Sequence, residues 1–194
     1  MYEETGAARY LALADRALGH DTDRCATGPD GALTLFDGSH HLPYLHGGSG
    51  GLAFPLRALL RHRPDEGRAA VLAAVRHTSR ALYVRNAGLL RGRAGGIAVL
   101  AATDSADSAH ACDDPRGRGD QDAVRTQVRR LAWYARGYQG HLAFPGFRMR
   151  RLSADLATGA AGVLLALDSA LGEGGPVLPY LDPRPPAPRD GEGR

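Results

Sequence analysis

The chain has 194 residues, 43% of them hydrophobic but only 6% aromatic, so Leu, Ala and Val must build the core of what length alone makes one domain. All 24 basic side chains are arginine, yet the net charge is only +3 and no basic block is interleaved with aromatics, which gives no support to a nucleic-acid partner. The longest apolar run, near 162–167, falls far short of the ~18–20 residues of a membrane span. Two isolated cysteines and an acidic N-terminus speak against a secreted disulfide scaffold, so a soluble cytoplasmic protein without a membrane partner is expected.

Residues 3–18 read as a first helix, with Tyr10, Leu11, Ala14 and Leu18 on one face and Gly19 as its stop. Residues 20–43 are polar and turn-rich, and Leu33–Phe36 read as a short strand or an extended lead. A second helix is expected over 49–62, kinked or delayed by Pro55. A third covers 67–82, with Val71, Leu72, Val75 and Leu82 inward and Arg68, Arg76 and Arg80 outward. Residues 93–103 are apolar on every side and so form a buried fourth helix. Residues 104–119 read as a long polar loop, 121–136 as a fifth helix with an arginine-rich outer face, and 137–158 as an irregular segment. The sixth helix spans 160–171, with Val163, Leu164, Leu167 and Leu171 at helical spacing. From 173 to 194 the chain is rich in Pro and Gly and is expected to be a disordered tail.

A G-x-x-G signature recurs three times, as Gly47-Gly48-Ser49-Gly50, Gly92-Arg93-Ala94-Gly95 and Gly159-Ala160-Ala161-Gly162. Each opens an apolar helix, and amphipathic helices lie between them. Repetition in one local setting marks an internal repeat. The fold expected for residues 1–172 is therefore all-α: a partial α/α toroid of about three inner/outer helix pairs, with the glycine signatures at the inner-helix starts. Three pairs leave one apolar flank open to another domain, a second copy or further repeats.

The segments Pro43-Tyr44-Leu45-His46-Gly47-Gly48-Ser49-Gly50-Gly51, Gly88-Leu89-Leu90-Arg91-Gly92-Arg93-Ala94-Gly95 and His141 to Leu167 resemble the C-terminal half of the cyclase domain of lanthionine synthetases, most closely the class III, kinase–cyclase branch. The resemblance implies addition of cysteine thiols to dehydroalanine or dehydrobutyrine in a ribosomal precursor peptide. It also implies partners: that peptide, upstream kinase and lyase parts, and the missing cyclase repeats. Zinc-dependent members of the family hold the metal with a Cys in a W-C-x-G lead and a Cys-His pair in C-H-G-x-x-G. Matched to those motifs, this chain carries Leu45, Leu90 and Arg91, none a zinc donor, so neither metal nor other cofactor is expected.

Without zinc, a base must activate the thiol. His46, beside the first signature, has the suitable imidazole; its bland alternative is a surface histidine. Arg91 and Arg93 flank the second signature as candidates to stabilise a thiolate or enolate, or to hold acidic leader-peptide residues, against the alternative of a solvated pair. Asp155 either orients a histidine or caps the following helix. Tyr44 and His141 are the candidate peptide contacts. The His40-His41-His46 group and His110-x-Cys112 lack the geometry or the ligand count of a metal site, and Cys25 and Cys112 read as unreactive loop thiols. Two other functions compete with the cyclase: a non-catalytic peptide-binding or scaffolding remnant, and a carbohydrate-active toroid. The second would need paired carboxylates at the helix starts, where only Asp155 stands.

Overall fold

The computed structural model describes residues 1–107 and 115–172. The His110-x-Cys112 pair and the expected tail from 173 lie outside the described residues. The described chain is mostly helical, and it carries two small antiparallel sheets that the all-α expectation lacked.

The first expected helix is two. A single turn, α1 (Tyr2–Thr5), closes on Gly6, whose left-handed backbone (φ 65°) suits glycine. Helix α2 (Ala8–Asp23) then runs straight through Gly19, the expected stop. Glycine serves packing there: a Cβ at residue 19 would stand 3.2 Å from Nη2 of Arg68. That guanidinium donates from Nε and Nη2 to Oδ1 of Asp15 at 3.2 and 3.0 Å, and so clasps α2 to α4. Arg68, expected to face outward, is half-buried by this contact.

The turn-rich stretch after α2 forms a three-stranded meander, β1 (Cys25–Thr27), β2 (Leu33–Phe36) and β3 (His41–Leu42), paired in that order. The register sets Cys25 opposite Leu35 and Leu35 opposite Leu42, so the three lie on one side of the finger. Leu33 anchors it. Its N–H donates to Oγ1 of Thr78 at 2.7 Å, and its carbonyl accepts from Oγ of Ser49 at 2.6 Å. Both hydroxyl residues are buried, so the finger is fixed to the start of the next helix.

That helix begins as a 3₁₀ turn over Ser49–Leu52 and continues as α3 (Ala53–His62). Pro55 falls in the first turn of α3, where a missing N–H costs nothing. Helix α4 (Glu66–Ser79) is capped by Asp65, which accepts from the N–H of Arg68 at 2.7 Å. Leu82, placed on its buried side by pattern, lies beyond its end and is exposed. Helix α5 (Arg93–Asp107) and helix α6 (Pro115–Leu131) take up most of the expected loop over 104–119. No Gly or Pro stands between residues 97 and 114 to end α5, and Pro115 sits at a helix start, where proline is favoured.

Helix α5 is central: Ile97 to Ala102 are all buried, and it packs on α3, α4, α6 and α7 (Ala160–Leu171). Between α6 and α7 the irregular segment folds into a hairpin, β4 (Arg136–Tyr138) and β5 (His141–Ala143). Gln139 and Gly140 turn it with φ of 50° and 79°, the two positive values a tight hairpin turn requires. Helix α7 buries Val163 and Ala166 but leaves Leu164 55% and Leu171 61% exposed.

Candidate functional site

The site is built where three glycine turns meet. Helical structure starts at Ser49, Arg93 and Ala160, so the residues before these starts are Gly48, Gly92 and Gly159. A Cβ on any of the three would come closer than 3.0 Å to the carbonyl oxygen six residues back: Leu42, Asn86 or Ser153. Three positions on, Gly51, Gly95 and Gly162 stand in the same relation to the carbonyls of Leu45, Leu89 and Leu156. The structural repeat is therefore Gly48 to Gly51, Gly92 to Gly95 and Gly159 to Gly162. The first signature sits one residue later than its sequence match to the second. Gly47 falls outside it and has a left-handed φ of 67°.

This register makes His46, Leu90 and Ala157 equivalent, and hydrogen bonds join these three. The N–H of His46 donates to the carbonyl of Leu90 at 2.8 Å, and the N–H of Leu90 to the carbonyl of Ala157 at 2.9 Å. The leads thus form a short ladder across three repeats that are far apart in sequence. The imidazole of His46 is exposed at its first rung and makes no side-chain hydrogen bond or ion pair among the described residues.

Gly47, Arg91 and Thr158 are likewise equivalent. Because residue 47 has no side chain, the guanidinium of Arg91 lies over it: a Cβ there would be 3.4 Å from Nη2. Arg91 is exposed, so it and His46 share one surface. Asp37, from the end of β2, borders the same place. The N–H groups of Ser39 and His40 donate to its Oδ1 at 2.9 and 2.7 Å. Those bonds, with a smaller contribution from the Arg91 charge, hold its carboxyl below the ordinary carboxylate range.

Arg93 does not join this surface, and it is not the solvated partner of Arg91 that composition suggests. It is 1% exposed. Its Nη1 donates to Oε1 of Gln127, its Nη2 to the carbonyl of Leu82 at 2.8 Å, and the Trp133 ring lies 5.5 Å from its Cζ. Among the described residues no carboxylate pairs with it. The helical period explains this, because the first residue of α5 points away from the lead and into the groove between α5 and α6, where Gln127 lies.

Asp155 is spent on its own turn. It accepts from Oγ of Ser153, from the N–H of Thr158 at 2.7 Å and from Oγ1 of Thr158 at 2.8 Å. These bonds, the Ser153 hydroxyl first, lower its pKa to about 2. It shapes the third lead, and among the described residues it bonds to no histidine. Tyr44 is half-buried, and its backbone lies against Gly48 and Gly50. His141 is exposed on β5 opposite Tyr138, and no hydrogen bond joins it to the leads among the described residues.

Sequence reading missed a groove of about 510 Å³ beside His46. Leu45 and Gly47, on either side of that histidine, both line it, as do Leu35, Leu42, Arg24 and Arg91. The signal was the alternation of Leu33 and Leu35 in a stretch otherwise dominated by turn residues. Among the described residues no group of three or more His, Cys, Asp or Glu side chains is arranged to hold a metal, and no helix is long and apolar enough to cross a membrane.

No family model matches the chain. It is similar to a probable SapB synthase of Streptomyces coelicolor, with 39% identity over 183 residues. The matched region covers 94% of this chain and 19% of that protein, so the chain spans less than a fifth of the relative's length.

Proposed function

We propose that this chain is part of a lanthionine-synthetase cyclase that closes thioether rings on a ribosomally made precursor peptide. The observation that carries the reading is the ladder of glycine-turned leads, which ends on the exposed imidazole of His46, unpartnered among the described residues. The likeness to a probable SapB synthase supports a relation to lanthipeptide biosynthesis. The three repeats are read as part of an α/α toroid whose inner helices are α3, α5 and α7. The exposed Leu164 and Leu171 on α7 suit a flank covered by further repeats.

In this reaction His46 takes the proton of a peptide cysteine. The thiolate adds to the β-carbon of a dehydroalanine or dehydrobutyrine, and the π pair moves to the α-carbon and its carbonyl. The imidazolium then returns the proton to the α-carbon, so no further reagent is consumed. Arg91, on the same surface, stabilises the enolate oxygen. Arg93 and Asp155 act through the fold: one fixes α5, the other the third lead. Tyr44 supports the first turn, and His141 meets the peptide from the hairpin.

Zinc does not fit these residues. The structural register brings His46, rather than Leu45, into line with Leu90, yet positions 90 and 91 still offer an alkyl group and a guanidinium. One imidazole is not a zinc site, and no step is routed through a metal.

The rival reading is a non-catalytic peptide-binding scaffold. It is favoured by the engagement of Arg93 and Asp155, two of the four candidate catalytic residues, in bonds within the fold. The carbohydrate-active alternative loses its one carboxylate, because Asp155 is held by Ser153 and Thr158. The test compares His46→Ala and His46→Asn in the longest polypeptide that contains this chain, with a dehydrated precursor peptide and loss of free thiol as readout. We expect at least a ~100-fold lower rate for both, the usual scale of general-base loss. Unchanged rates would remove His46 as the base and favour the scaffold.

A further inference from the structure

We infer that the groove beside His46 binds the precursor peptide through an uncharged, apolar stretch, and that the facing pair Leu35 and Leu42 sets this preference. The inference rests on the cyclase reading but concerns what the site recognises, not the reaction.

Leu35 and Leu42 are directly opposed across β2 and β3, both half-buried, and both line the groove. Leu45 and Leu52 lie across from the finger and continue the apolar lining. The finger is held in place by the Leu33 bonds to Ser49 and Thr78, so this lining is formed before any ligand arrives. The volume falls within the roughly 300–1,000 Å³ of ordinary ligand sites.

The charges around the groove balance. Among the described residues Arg24 and Arg91 are its two cations, Asp21 and Asp37 its two anions. Asp37 is already engaged by two backbone N–H groups and faces Arg91, and Asp21 stands one helical turn before Arg24 on the end of α2. An acidic segment would meet a carboxylate near each guanidinium, and a basic one the reverse. A neutral segment avoids both repulsions and gains the apolar surface. Acidic leader residues, one of the alternatives that the sequence offers for Arg91, are therefore not the groove's preferred occupant. Because Leu45 and Gly47 flank His46, a peptide seated here runs past the imidazole.

The test uses the full 194-residue chain and a fluorescein-labelled decapeptide of Leu, Gly and Ser with no cysteine, so that binding is read without chemistry. A copy with two Ser replaced by Glu, and another with two replaced by Arg, are titrated beside it by anisotropy at low and high salt. The neutral peptide should bind at least fivefold more tightly than either charged copy, with little dependence on salt. Leu42→Gln, which keeps the side-chain volume, and Leu35→Gln should each weaken it at least fivefold, with circular dichroism unchanged. Tighter, salt-sensitive binding of the Glu copy, or equal binding by both folded variants, overturns the inference. If the neutral peptide binds as expected but the longest polypeptide consumes no thiol from a dehydrated precursor, the cyclase reading fails and the groove stands. If thiol is consumed at the same rate with Leu35→Gln and Leu42→Gln in place, the groove fails and the cyclase reading stands.

Discussion

The backbone N–H of His46 donates to the carbonyl of Leu90, a residue 44 positions later in the chain and the equivalent of His46 in the next repeat. Leu90 in turn donates to Ala157, so the three leads hold one another by main-chain bonds whatever side chains they carry. The amides of His46 and Leu90 should therefore exchange slowly with deuterium although the His46 side chain is exposed. Leu90→Pro removes one donor and leaves the Ala157 carbonyl without its partner. It should lower stability by about 2–3 kcal/mol in urea titrations, combining a lost bond with an unsatisfied group. Fast exchange at His46 in the native protein would contradict the ladder.

The glycine pattern yields a graded prediction. At Gly95 and Gly162 a Cβ would overlap the carbonyls of Leu89 and Leu156, and Gly162 also meets the Cβ of Leu89. A backbone carbonyl on one side and a leucine Cβ on the other leave nothing to rotate away, so Gly95→Ala and Gly162→Ala should each cost about 3 kcal/mol or more, or prevent folding. Gly47 faces only the tip of Arg91 and suffers from its positive φ alone. Gly47→Ala should cost about 1 kcal/mol, and Gly47→Asn less, because Asn tolerates left-handed backbone. Thermal melts of the three alanine variants should fall in that order. Equal losses would mean that close approach is not what selects glycine at residues 95 and 162.

Much of this was legible in the residues. The apolar run Ile97–Ala102 announced a buried helix, and the triple glycine signature announced a repeated helix start. What local pattern did not carry was contact between distant parts. Gly19 looked like a stop because glycine often ends helices, yet here it makes room for Arg68. The first signature was misregistered by one residue because Gly47, Gly48, Gly50 and Gly51 offer two overlapping matches. Only the carbonyls of Leu42 and Leu45, brought close by folding, choose between them. The β-finger was half-visible, since strands of two to four residues have too little period to stand out against turns. Arg91 and Arg93 read alike in sequence, and a helix start separates them into an exposed and a buried side chain.

Arg93 provides the next test, because its role is distinguishable from catalysis. Its guanidinium serves Gln127 and the Leu82 carbonyl at once while lying over Trp133. A lysine cannot present that planar fork, and a methionine leaves the carbonyl unserved. Arg93→Lys and Arg93→Met should each cost about 2–4 kcal/mol, as expected for polar groups stripped of a buried charged partner. Trp133 is the only tryptophan, so its emission reports the same site during unfolding. Any fall in ring formation should track the fraction unfolded. A stable Arg93→Met chain with normal tryptophan emission would refute the buried clasp.

Asp155 gives the sharpest dependence on pH. Its folded-state pKa is about 2 against an ordinary 3.8, lowered first by the Ser153 hydroxyl and then by the N–H of Thr158. A depressed carboxyl pKa means that the folded state favours the ionised form. The stabilisation is complete above the unfolded value and disappears as pH falls through the folded one. The window for its loss is therefore pH 4 to 2. The carboxylate is exposed, so solvent screening keeps the effect small. Asp155→Asn retains an oxygen acceptor for Thr158 but cannot titrate, so it isolates the charge. The wild-type chain should exceed this variant in urea midpoint at pH 6, and the gap should narrow steadily below pH 4 and close near pH 2. Asp37, whose carboxyl is also held low, titrates in both chains and cancels in the comparison. A gap that does not change between pH 6 and pH 2 would mean that the turn before Gly159 is held by shape alone. The Ser153 and Thr158 bonds to a charged Asp155 would then have no part in setting the third lead.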